Sequence, residues 1–404
     1  MAAQPWRNWS GGVTAFPRER VQPATEDALR SVVVRAGRAE EVVRVVGAGH
    51  SFTPLCATDG VLVSLDGLQG IRTIAPAGDV TVWAGTRIAQ LGMLLLQAGL
   101  ALDNQGDIDS QSIAGAISTG THGTGPAFGS LATQITGLRL VLASGDVIDC
   151  SPTAEPELFS SACVSLGALG VLSQVTLRAV PAFRLRETSW AATVGECLTE
   201  LPTLAARNRH VEFFWLPVQD CCVIKALSLT DEPPRGAASL TLPPPGTVER
   251  YLQPERIDWS ARIYPSVRAV PFNEMEFAVP AASGSQCFLE IRECMRTLHP
   301  GVEWAVEYRT QRADTIDIST AYGRDVVAIS IHEAAGRPYE SFFRDAEAIF
   351  RNYRGRPHWG KIHWHTPREL RELYPMWDKF QTTRERLDPN GRFLNSYLRT
   401  LCLD

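Results

Sequence analysis

The chain has 404 residues, of which 45% are hydrophobic and 21% are charged, and its formal net charge at pH 7 is −5. This length predicts two domains, and the lack of a basic stripe excludes nucleic acid as an expected partner. The most apolar stretch, residues 91–102, is too short and too interrupted by glycine to be a membrane span.

The first half of the chain predicts helices that alternate with strands. Thr25 is positioned to cap a helix, and acidic residues occupy its first turn, where the positive end of the helix dipole favours negative charge. This helix is expected to stop at Gly37 and to lead into a strand over 42–47. The pattern continues with a strand at 79–85, a helix at 87–98, two strands within 134–150 around a turn at 144–146, and a strand at 170–181. Residues 1–182 therefore predict one α+β domain with mixed sheets.

The second half predicts an antiparallel sheet with helices on one face, and we assign residues 183–366 to this second domain. Its predicted strands are HVEFFWLP, CCVIKALSL, NEMEFAVP, VEWAVEYRT and VVAISIHEA, and its helices lie near 284–298 and 338–353. Residues 231–246 contain five prolines and predict an irregular surface loop. Residues 367–404 predict a helical C-terminal segment that packs back on the first domain.

A glycine-rich turn, GAGH at 47–50, follows the first predicted strand. A Rossmann dinucleotide fold would need a third glycine at position 52 inside a helix, but Phe52 stands there and Pro54 opposes a helix. The turn can nevertheless present successive backbone N–H groups to an anion.

A second glycine-rich loop, GAISTGTHGTG, occupies residues 115–125. It lacks the Gly-Lys-Ser/Thr sequence of a Walker loop. Its glycines and small hydroxyl residues allow backbone and side-chain donors to approach a phosphate group closely. Two such loops in one domain favour a site that holds a pyrophosphate from two sides. From the residues alone, the alternative is that both loops are ordinary tight turns.

Four motifs together resemble a known family. VVGAGHSFTPLCATDGVLVSLDGL and NQGDIDSQSIAGAISTGTHGTG resemble the vanillyl-alcohol-oxidase-type flavoproteins, and within them the aldonolactone oxidoreductases and the related alditol oxidases. STAYGRD and GRPHWGKIHWHT resemble the bacterial gulonolactone and arabinonolactone enzymes. The resemblance extends over nearly the whole chain and implies a PCMH-type FAD-binding domain followed by a substrate (cap) domain.

The resemblance implies that FAD is the cofactor and that His50 is bonded covalently to its 8α-methyl group. It also implies that His358 contacts the flavin. His122 is expected to line FAD with the rest of its loop, and to serve the shape of that loop more than its chemistry. The remaining residues expected along FAD, mostly through backbone groups, are Gly47, Ala48, Gly49, Ser51, Gly106, Asp107, Ser112, Gly115, Ser118, Thr119, Gly120, Thr121, Gly123, Gly170 and Val171.

Glu307 and Arg309 are two residues apart in VEYRT, so they share one face of the predicted strand. The spacing alone is equally compatible with a salt bridge on a solvated strand, but the resemblance places a Glu-x-Arg pair at the substrate. His332, at the end of VVAISIH, is predicted to line the same pocket.

GKIHWHT is interpreted as another strand, with Lys361, His363 and His365 on a basic face. Lysine is a poor metal ligand and no acidic residue lies near these positions in the sequence, so no metal site is predicted. The resemblance places Lys361 close to flavin and substrate, and it leaves His363 and His365 either behind that site or on the surface.

The resemblance implies oxidation of the C2 hydroxyl of an aldono-1,4-lactone, such as L-gulono-1,4-lactone or D-arabinono-1,4-lactone, with a hydride passing to flavin N5. The 2-keto product would enolise to ascorbate or an analogue. Glu307 is expected to accept the hydroxyl proton or a hydrogen bond, and Arg309 to bind substrate oxygen and stabilise negative charge. The alternatives are an alditol oxidase, which forms an aldose and hydrogen peroxide from a linear polyol, and a flavin-binding protein without turnover.

Oxygen or an external acceptor is expected to reoxidise the flavin. The resemblance places Gly106 beside the reactive edge of the flavin, where no side chain would block oxygen, so an oxidase is favoured. The nine cysteines are odd in number and form no C-x-x-C pair, so we expect reduced thiols and a cytoplasmic location. We expect no signal peptide, since residues 1–12 lack a basic segment followed by an apolar one.

Overall fold

The structure is a computed structural model, and it describes residues 4–237, 243–266 and 269–402. Its α-helices are α1 (Glu26–Arg38), α2 (Ile88–Gln97), α3 (Ile113–Ser118), α4 (Pro156–Ala162), α5 (Val194–Arg207), α6 (Val248–Tyr251), α7 (Ser260–Ile263), α8 (Gly284–Leu298), α9 (Glu340–Asn352), α10 (Pro367–Leu373), α11 (Trp377–Leu387) and α12 (Ser396–Cys402). Its strands are β1 (Trp6–Arg7), β2 (Thr14–Ala15), β3 (Glu19–Val21), β4 (Val43–Val46), β5 (Val61–Ser64), β6 (Ile71–Ile74), β7 (Asp79–Trp83), β8 (Leu100–Ala101), β9 (Ile135–Val141), β10 (Val147–Cys150), β11 (Val171–Arg178), β12 (Val180–Pro181), β13 (Arg184–Thr193), β14 (His210–Leu216), β15 (Cys221–Thr230), β16 (Arg256–Trp259), β17 (Phe272–Pro280), β18 (Val306–Gln311), β19 (Val326–Ala334) and β20 (Arg356–Pro357).

The first helix begins where the sequence predicts. Oγ1 of Thr25 accepts a hydrogen bond from the backbone N–H of Ala28 at 3.1 Å, and α1 ends at Arg38, one residue beyond the predicted stop. Strand β4 then delivers the chain to the turn at 47–50. Gly49 in this turn has a φ of +70°, a left-handed conformation that favours glycine.

The first half of the chain contains two main sheets of different kinds. Strands β3, β5 and β4 form a parallel sheet in that order, whereas β10, β9, β11, β7 and β6 form an antiparallel sheet. Helix α1 joins β3 to β4, the two outer strands of the parallel sheet, and a tight turn at 144–146 joins the antiparallel neighbours β9 and β10. Helices and sheets together confirm the predicted α+β class.

An eight-stranded antiparallel sheet dominates the second half, in the order β16-β13-β15-β14-β18-β19-β17-β20. Its two faces differ in chemistry because side chains alternate along each strand. One face is apolar and packs with residues of α5, α8 and α9, and it includes Phe213, Phe277, Tyr308 and Ile329. The other face, which we call the polar face, turns toward the first half and carries Glu212, Lys225, Glu274, Glu276, Glu307, Arg309 and His332.

The C-terminal helices pack with the first half of the chain. Leu370 of α10, Phe380 of α11 and Leu398 of α12 share one hydrophobic core with Leu29 and Val82. None of the helices within the described ranges is long and apolar enough to cross a membrane.

Two predicted strands differ from the structure. The strand predicted at 170–181 is interrupted at Ala179 and forms β11 and β12. The strand predicted in GKIHWHT is absent, because a turn in which Lys361 N–H donates to the carbonyl of His358 leads the chain away from the sheet after β20. Part of the predicted proline-rich loop, residues 238–242, lies outside the described residues.

Candidate active site

Two connected pockets lie at the glycine loops of the first half, and one of them extends to the polar face. The cofactor slot is lined by Arg44, Gly47, Ala48, Gly49, Ser112, Gly115, Ser118, Gly170 and Val171, among others. The reaction pocket is lined by Gly106, Asp107, Thr121, His122, Glu274, Glu276, Glu307, Arg309, His332, His358 and Lys361, among others. Both are lined by His50, Ser51, Gln111 and Thr119, so one elongated ligand can occupy the two.

The structure brings together nearly all of the residues that the sequence singles out. Among the residues expected along FAD, Gly120 and Gly123 are the exceptions, since they line neither the cofactor slot nor the reaction pocket. Gly120 has a φ of +77°, and a Cβ on Gly123 would lie 2.4 Å from the carbonyl oxygen of Gln105. These two glycines therefore shape and pack their loop.

Glycines in the cofactor slot allow a close approach of the backbone. A Cβ on Gly47 would lie 2.4 Å from Oγ of Ser112, and a Cβ on Gly170 would lie 2.9 Å from the carbonyl oxygen of Val141. Ser112 caps α3, where its Oγ accepts a hydrogen bond from Gly115 N–H. At these glycines the backbone itself borders the slot, which suits a ligand held there through main-chain groups.

His50 lies where the two pockets meet. Its Nε2 is 2.8 Å from Oγ of Ser110, its ring stacks on Trp9 at a centroid distance of 4.9 Å, and its Nδ1 is buried without a hydrogen-bond partner. Burial, followed by the charge of Lys361, lowers the pKa of His50 to about 4, so its ring is neutral near pH 7. A neutral ring with an unpaired buried nitrogen fits a ligand atom that bonds to Nδ1.

Arg44 is a buried cation in the wall of the cofactor slot. Its guanidinium donates hydrogen bonds to the backbone carbonyls of Leu55, Leu166, Gly167 and Phe393. No carboxylate of the described ranges forms an ion pair with it, and burial lowers its pKa without removing the charge of an arginine. A buried positive charge beside main-chain donors fits the diphosphate of FAD.

Glu307 and Arg309 project together from β18 into the reaction pocket. Arg309 Nη2 lies 2.6 Å from Oε2 of Glu307, and the two side chains are only 11% and 8% exposed. The pair is therefore not a salt bridge on a solvated strand. Burial opposes the charge of Arg309, but Glu307 and Glu212 outweigh it and hold the Arg309 pKa well above its usual value.

Glu212 connects Arg309 to a buried lysine. It stands opposite Arg309 across β14 and β18, where its Oε2 accepts a hydrogen bond from Arg309 Nε at 2.8 Å. Its Oε1 lies 3.0 Å from Nζ of Lys225. Burial opposes the charge of Lys225, but Asp107 and Glu212 outweigh it and raise the pKa of the lysine. Glu212 therefore fixes the Arg309 guanidinium at Nε, while Nη2 of the same group meets Glu307.

Lys361 and His332 meet at a second carboxylate, Glu274. The ammonium of Lys361 forms an ion pair with Oε2 of Glu274, and Nε2 of His332 lies 3.6 Å from its Oε1. Burial opposes ionisation of Glu274, but Lys361 and His332 outweigh it and lower the Glu274 pKa to about 2. Nδ1 of His332 is held by the carbonyl of Ala305 at 2.9 Å.

His122 contacts both its own loop and a carboxylate of the polar face. Its Nε2 lies 2.9 Å from Oε1 of Glu276, and its Nδ1 lies 2.8 Å from the carbonyl oxygen of Gly123. Ser330 donates to the other oxygen of Glu276 at 2.7 Å. Burial opposes ionisation of Glu276, but His122 and His358 outweigh it and keep the Glu276 pKa well below its usual value. A loop of the first half is thus tied to the polar face at the reaction pocket.

His363 and His365 are buried, so the surface position that the sequence allows for them is wrong. Nδ1 of His365 lies 2.9 Å from Oε1 of Glu347, whereas burial, followed by the charge of His365, lowers the pKa of His363 to about 3. Neither histidine lines the cofactor slot or the reaction pocket. In the described ranges no group of three or more His, Cys, Asp or Glu residues is arranged to hold a metal ion.

Several charged residues of the polar face are not among those predicted from the sequence. They are Glu212, Lys225, Glu274 and Glu276. Each stands inside an otherwise apolar strand, as in HVEFFWLP, CCVIKALSL and NEMEFAVP. Burying a charge is costly unless it is paired, so a charge at alternate positions of a buried strand is the signal that marks them.

Comparison with known proteins matches the first half of the chain to an FAD-binding family and the second half to an aldonolactone oxidase family. Residues 17–151 match the FAD binding domain family, and residues 175–244 and 241–401 match the D-arabinono-1,4-lactone oxidase family. The L-gulono-1,4-lactone dehydrogenase of Mycobacterium tuberculosis is 38% identical over 98% of each chain, and the L-gulonolactone oxidase of Bos taurus is 30% identical over 97% of each. The structure of cholesterol oxidase from B. sterolicum is 20% identical and superimposes with a TM-score of 0.86 over 99% of this chain and 96% of that one, which shows a shared fold.

The fold and the connected pockets define an FAD-binding oxidoreductase of the vanillyl-alcohol-oxidase type. Within that class, the chain belongs to the D-arabinono-1,4-lactone oxidase family. The aldonolactone branch that the sequence motifs predict is thereby confirmed.

Proposed function

We propose that this enzyme oxidises the C2 hydroxyl of an aldono-1,4-lactone, with L-gulono-1,4-lactone as the first candidate. The product would be a 2-keto lactone that enolises to ascorbate. The observation that carries the proposal is the buried pair of Glu307 and Arg309, 2.6 Å apart, in a pocket that adjoins the cofactor slot. The names of the aldonolactone relatives support the same substrate class.

The proposed chemistry assigns proton transfer to Glu307. FAD, when bound, supplies the hydride acceptor for the oxidised carbon. Glu307 accepts a hydrogen bond from the C2 hydroxyl and takes its proton as the hydride leaves. Arg309 brings positive charge to the substrate oxygen, and its ion pair with Glu212 orients that charge before the substrate binds.

Lys361 and His332 of the reaction pocket are proposed to bind the substrate. Lys361 and His332 are both held by Glu274, so their hydrogen-bonding groups have fixed positions. A sugar lactone carries several hydroxyl groups and one carbonyl oxygen, which need such donors once they leave water. These residues therefore orient the lactone relative to Glu307.

The proposal includes a covalent bond between His50 and the 8α-methyl group of FAD. The unpaired, buried Nδ1 and the low pKa of His50, about 4, support this assignment. Arg44 and the glycine backbone of the cofactor slot would hold the diphosphate. The proposed domains are residues 1–182 for FAD, 183–366 for the substrate, and a C-terminal segment, 367–404, that packs on the first of them.

We propose oxygen as the electron acceptor, in keeping with the absence of a side chain at Gly106, which lines the reaction pocket. The relatives differ in this property by name, since one is a dehydrogenase and another is an oxidase. Comparing the rates at which oxygen and an electron-accepting dye reoxidise the reduced enzyme tests the choice. A reduced enzyme that reacts with the dye but not with oxygen would contradict it.

We also propose a cytoplasmic location. All nine cysteines are free in the structure, and reduced thiols are typical of that compartment. Thiol titration of the denatured protein, purified without reductant, tests this proposal. Disulfide-linked cysteines in such a preparation would contradict it.

Anaerobic mixing of the purified enzyme with lactones and polyols tests the proposed reaction. Bleaching of the flavin absorbance by L-gulono-1,4-lactone, with little bleaching by xylitol or sorbitol, is the expected result. Faster bleaching by the polyols would favour an alditol oxidase. No bleaching by either class would indicate a flavin-binding protein without turnover.

A further inference from the structure

A second, smaller cavity adjoins the reaction pocket. The two cavities have Phe272, Glu307 and His332 in common. We call the smaller cavity the outer subsite, and its other walls are Pro245, Arg250, Tyr251, Val270 and Trp304. None of these five residues belongs to the groups assigned above to FAD or to the proton transfer.

The outer subsite is built against the proposed catalytic carboxylate. Phe214 stands directly opposite Glu307 across β14 and β18, and Tyr251 stacks on Phe214 with ring centroids 4.4 Å apart. The segment that carries Tyr251 is held close to the start of β18, since a Cβ on Gly246 would lie 1.9 Å from the carbonyl oxygen of Glu303. One wall of the subsite is therefore fixed beside Glu307.

Trp304 forms the facing wall. Its ring lies 5.3 Å from that of Phe272 and 6.4 Å from that of His332, measured between centroids. The subsite thus combines aromatic surfaces with the polar groups of Arg250 and His332. This combination suits a short carbon chain that carries hydroxyl groups, because its C–H groups pack on the rings while its hydroxyls need polar partners.

We propose that the outer subsite receives the exocyclic hydroxylated chain of the lactone and thereby selects for its length. This inference rests on the proposed function, which places the C2 hydroxyl at Glu307. The exocyclic chain is attached at C4, on the other side of the lactone ring, so it can extend past His332 into the subsite. A six-carbon lactone carries a two-carbon chain there, whereas a five-carbon lactone carries a single hydroxymethyl group.

Filling the subsite tests the proposal. Val270 is 41% exposed and borders the subsite, so Val270→Phe adds volume there. We expect the affinity for L-gulono-1,4-lactone to fall about tenfold, while that for D-arabinono-1,4-lactone changes less than about twofold. Affinity is measured as the dissociation constant in anaerobic flavin reduction, or as the inhibition constant of a lactone that is not oxidised. The matched control is Val218→Phe, because Val218 is also an exposed valine, at 64%, and lies outside both cavities.

A second variant, Trp304→Leu, removes an aromatic wall in place of adding volume. It should also weaken the six-carbon lactone more than the five-carbon lactone, and the melting temperature of each variant shows whether it has folded. If each variant changes the affinity for the two lactones equally, the proposal that the outer subsite receives the exocyclic chain is wrong. If the wild-type flavin is reduced by neither lactone, the proposed function itself fails, so the two failures are distinguishable.

Discussion

Arg309 and Glu212 face each other across β14 and β18, and Nε of Arg309 donates to Oε2 of Glu212 at 2.8 Å. Glu212 also pairs with Lys225 at 3.0 Å, so one buried carboxylate separates two buried cations. Replacing it would remove the nearest carboxylate of Lys225 and one of the two nearest carboxylates of Arg309. The Arg309 guanidinium is therefore held at Nε by Glu212 and at Nη2 by Glu307.

Glu212→Gln keeps the size of the side chain and removes this charge. We expect the limiting rate of flavin reduction to fall about tenfold to a hundredfold, because Arg309 loses its fixed position. The free energy of unfolding should fall by about 3 kcal/mol, since a buried ion pair is broken from one side. In the double variant with Lys225→Met, stability should recover in part while the rate stays low. A single variant that reduces its flavin at the wild-type rate would remove Glu212 from the positioning role.

His50→Ala tests the tether to the cofactor. Wild-type protein precipitated with acid should keep flavin absorbance in the denatured chain, whereas the variant should release its flavin into the supernatant. Ser110→Ala is a useful control, because it removes the hydrogen bond to His50 Nε2 but leaves Nδ1 in place, so the flavin should remain attached. Release of wild-type flavin by acid would show that no covalent bond exists.

Gly106→Ala tests access of oxygen to the reaction pocket. The added Cβ would lie 2.9 Å from the backbone carbonyl oxygen of His122 and 3.4 Å from Cγ2 of Thr121, so the loop must shift even for alanine, and alanine is the smallest side chain that can be added. We expect slower reoxidation of the reduced enzyme by oxygen and an anaerobic reduction rate within about threefold of wild type. Equal oxygen rates in both proteins would show that this glycine does not control the acceptor.

Stability should fall in acid because of buried neutral histidines. Burial, chiefly, lowers the pKa of His358 to about 4 and that of His363 to about 3. An unfolded histidine binds its proton near pH 6.5. Below that pH the unfolded chain therefore takes up protons that the folded chain does not. The stability present above pH 6.5 is consequently lost as the pH falls toward 4. His363→Phe removes one such group outside both pockets. The free energy of unfolding of this variant, measured with urea at pH 7 and pH 5, should then depend less steeply on pH than that of the wild type. The slopes should differ by up to about 1.4 kcal/mol per pH unit. A pH dependence of stability equal to that of the wild type would contradict the lowered pKa of His363 in the folded protein.

Local signals in the sequence were enough to predict individual elements. Thr25 and the acidic turn after it predict α1 without any knowledge of tertiary structure, because a cap acts within one turn. The alternation in VEYRT likewise places Glu307 and Arg309 on one face, since that depends only on the strand period. GKIHWHT shows the same alternation, yet its turn after His358 takes it out of the sheet.

Partners across the sheet could not be predicted in the same way. Glu212 meets Arg309, and Glu276 meets His122, only because of the strand order and register, which bring together residues 97 and 154 positions apart. Several registers would satisfy the same apolar pattern on the other face of these strands. The contact of His122 with Glu276 could not be predicted for this reason, since its partner is far away in the chain.

The most direct test compares two buried glutamate–arginine pairs of the same sheet. Glu307 pairs with Arg309 in the reaction pocket, whereas Glu187 pairs with Arg256 at 2.9 Å outside it and is similarly buried. The measurement is the limiting rate of anaerobic flavin reduction by L-gulono-1,4-lactone in Glu307→Gln and Glu187→Gln. Glu307→Gln should lower that rate about 100- to 1000-fold while retaining its flavin, and Glu187→Gln should lose stability with a nearly normal rate. If Glu307→Gln also loses only melting temperature and reduces its flavin at the wild-type rate, Glu307 is a structural residue and does not take the substrate proton.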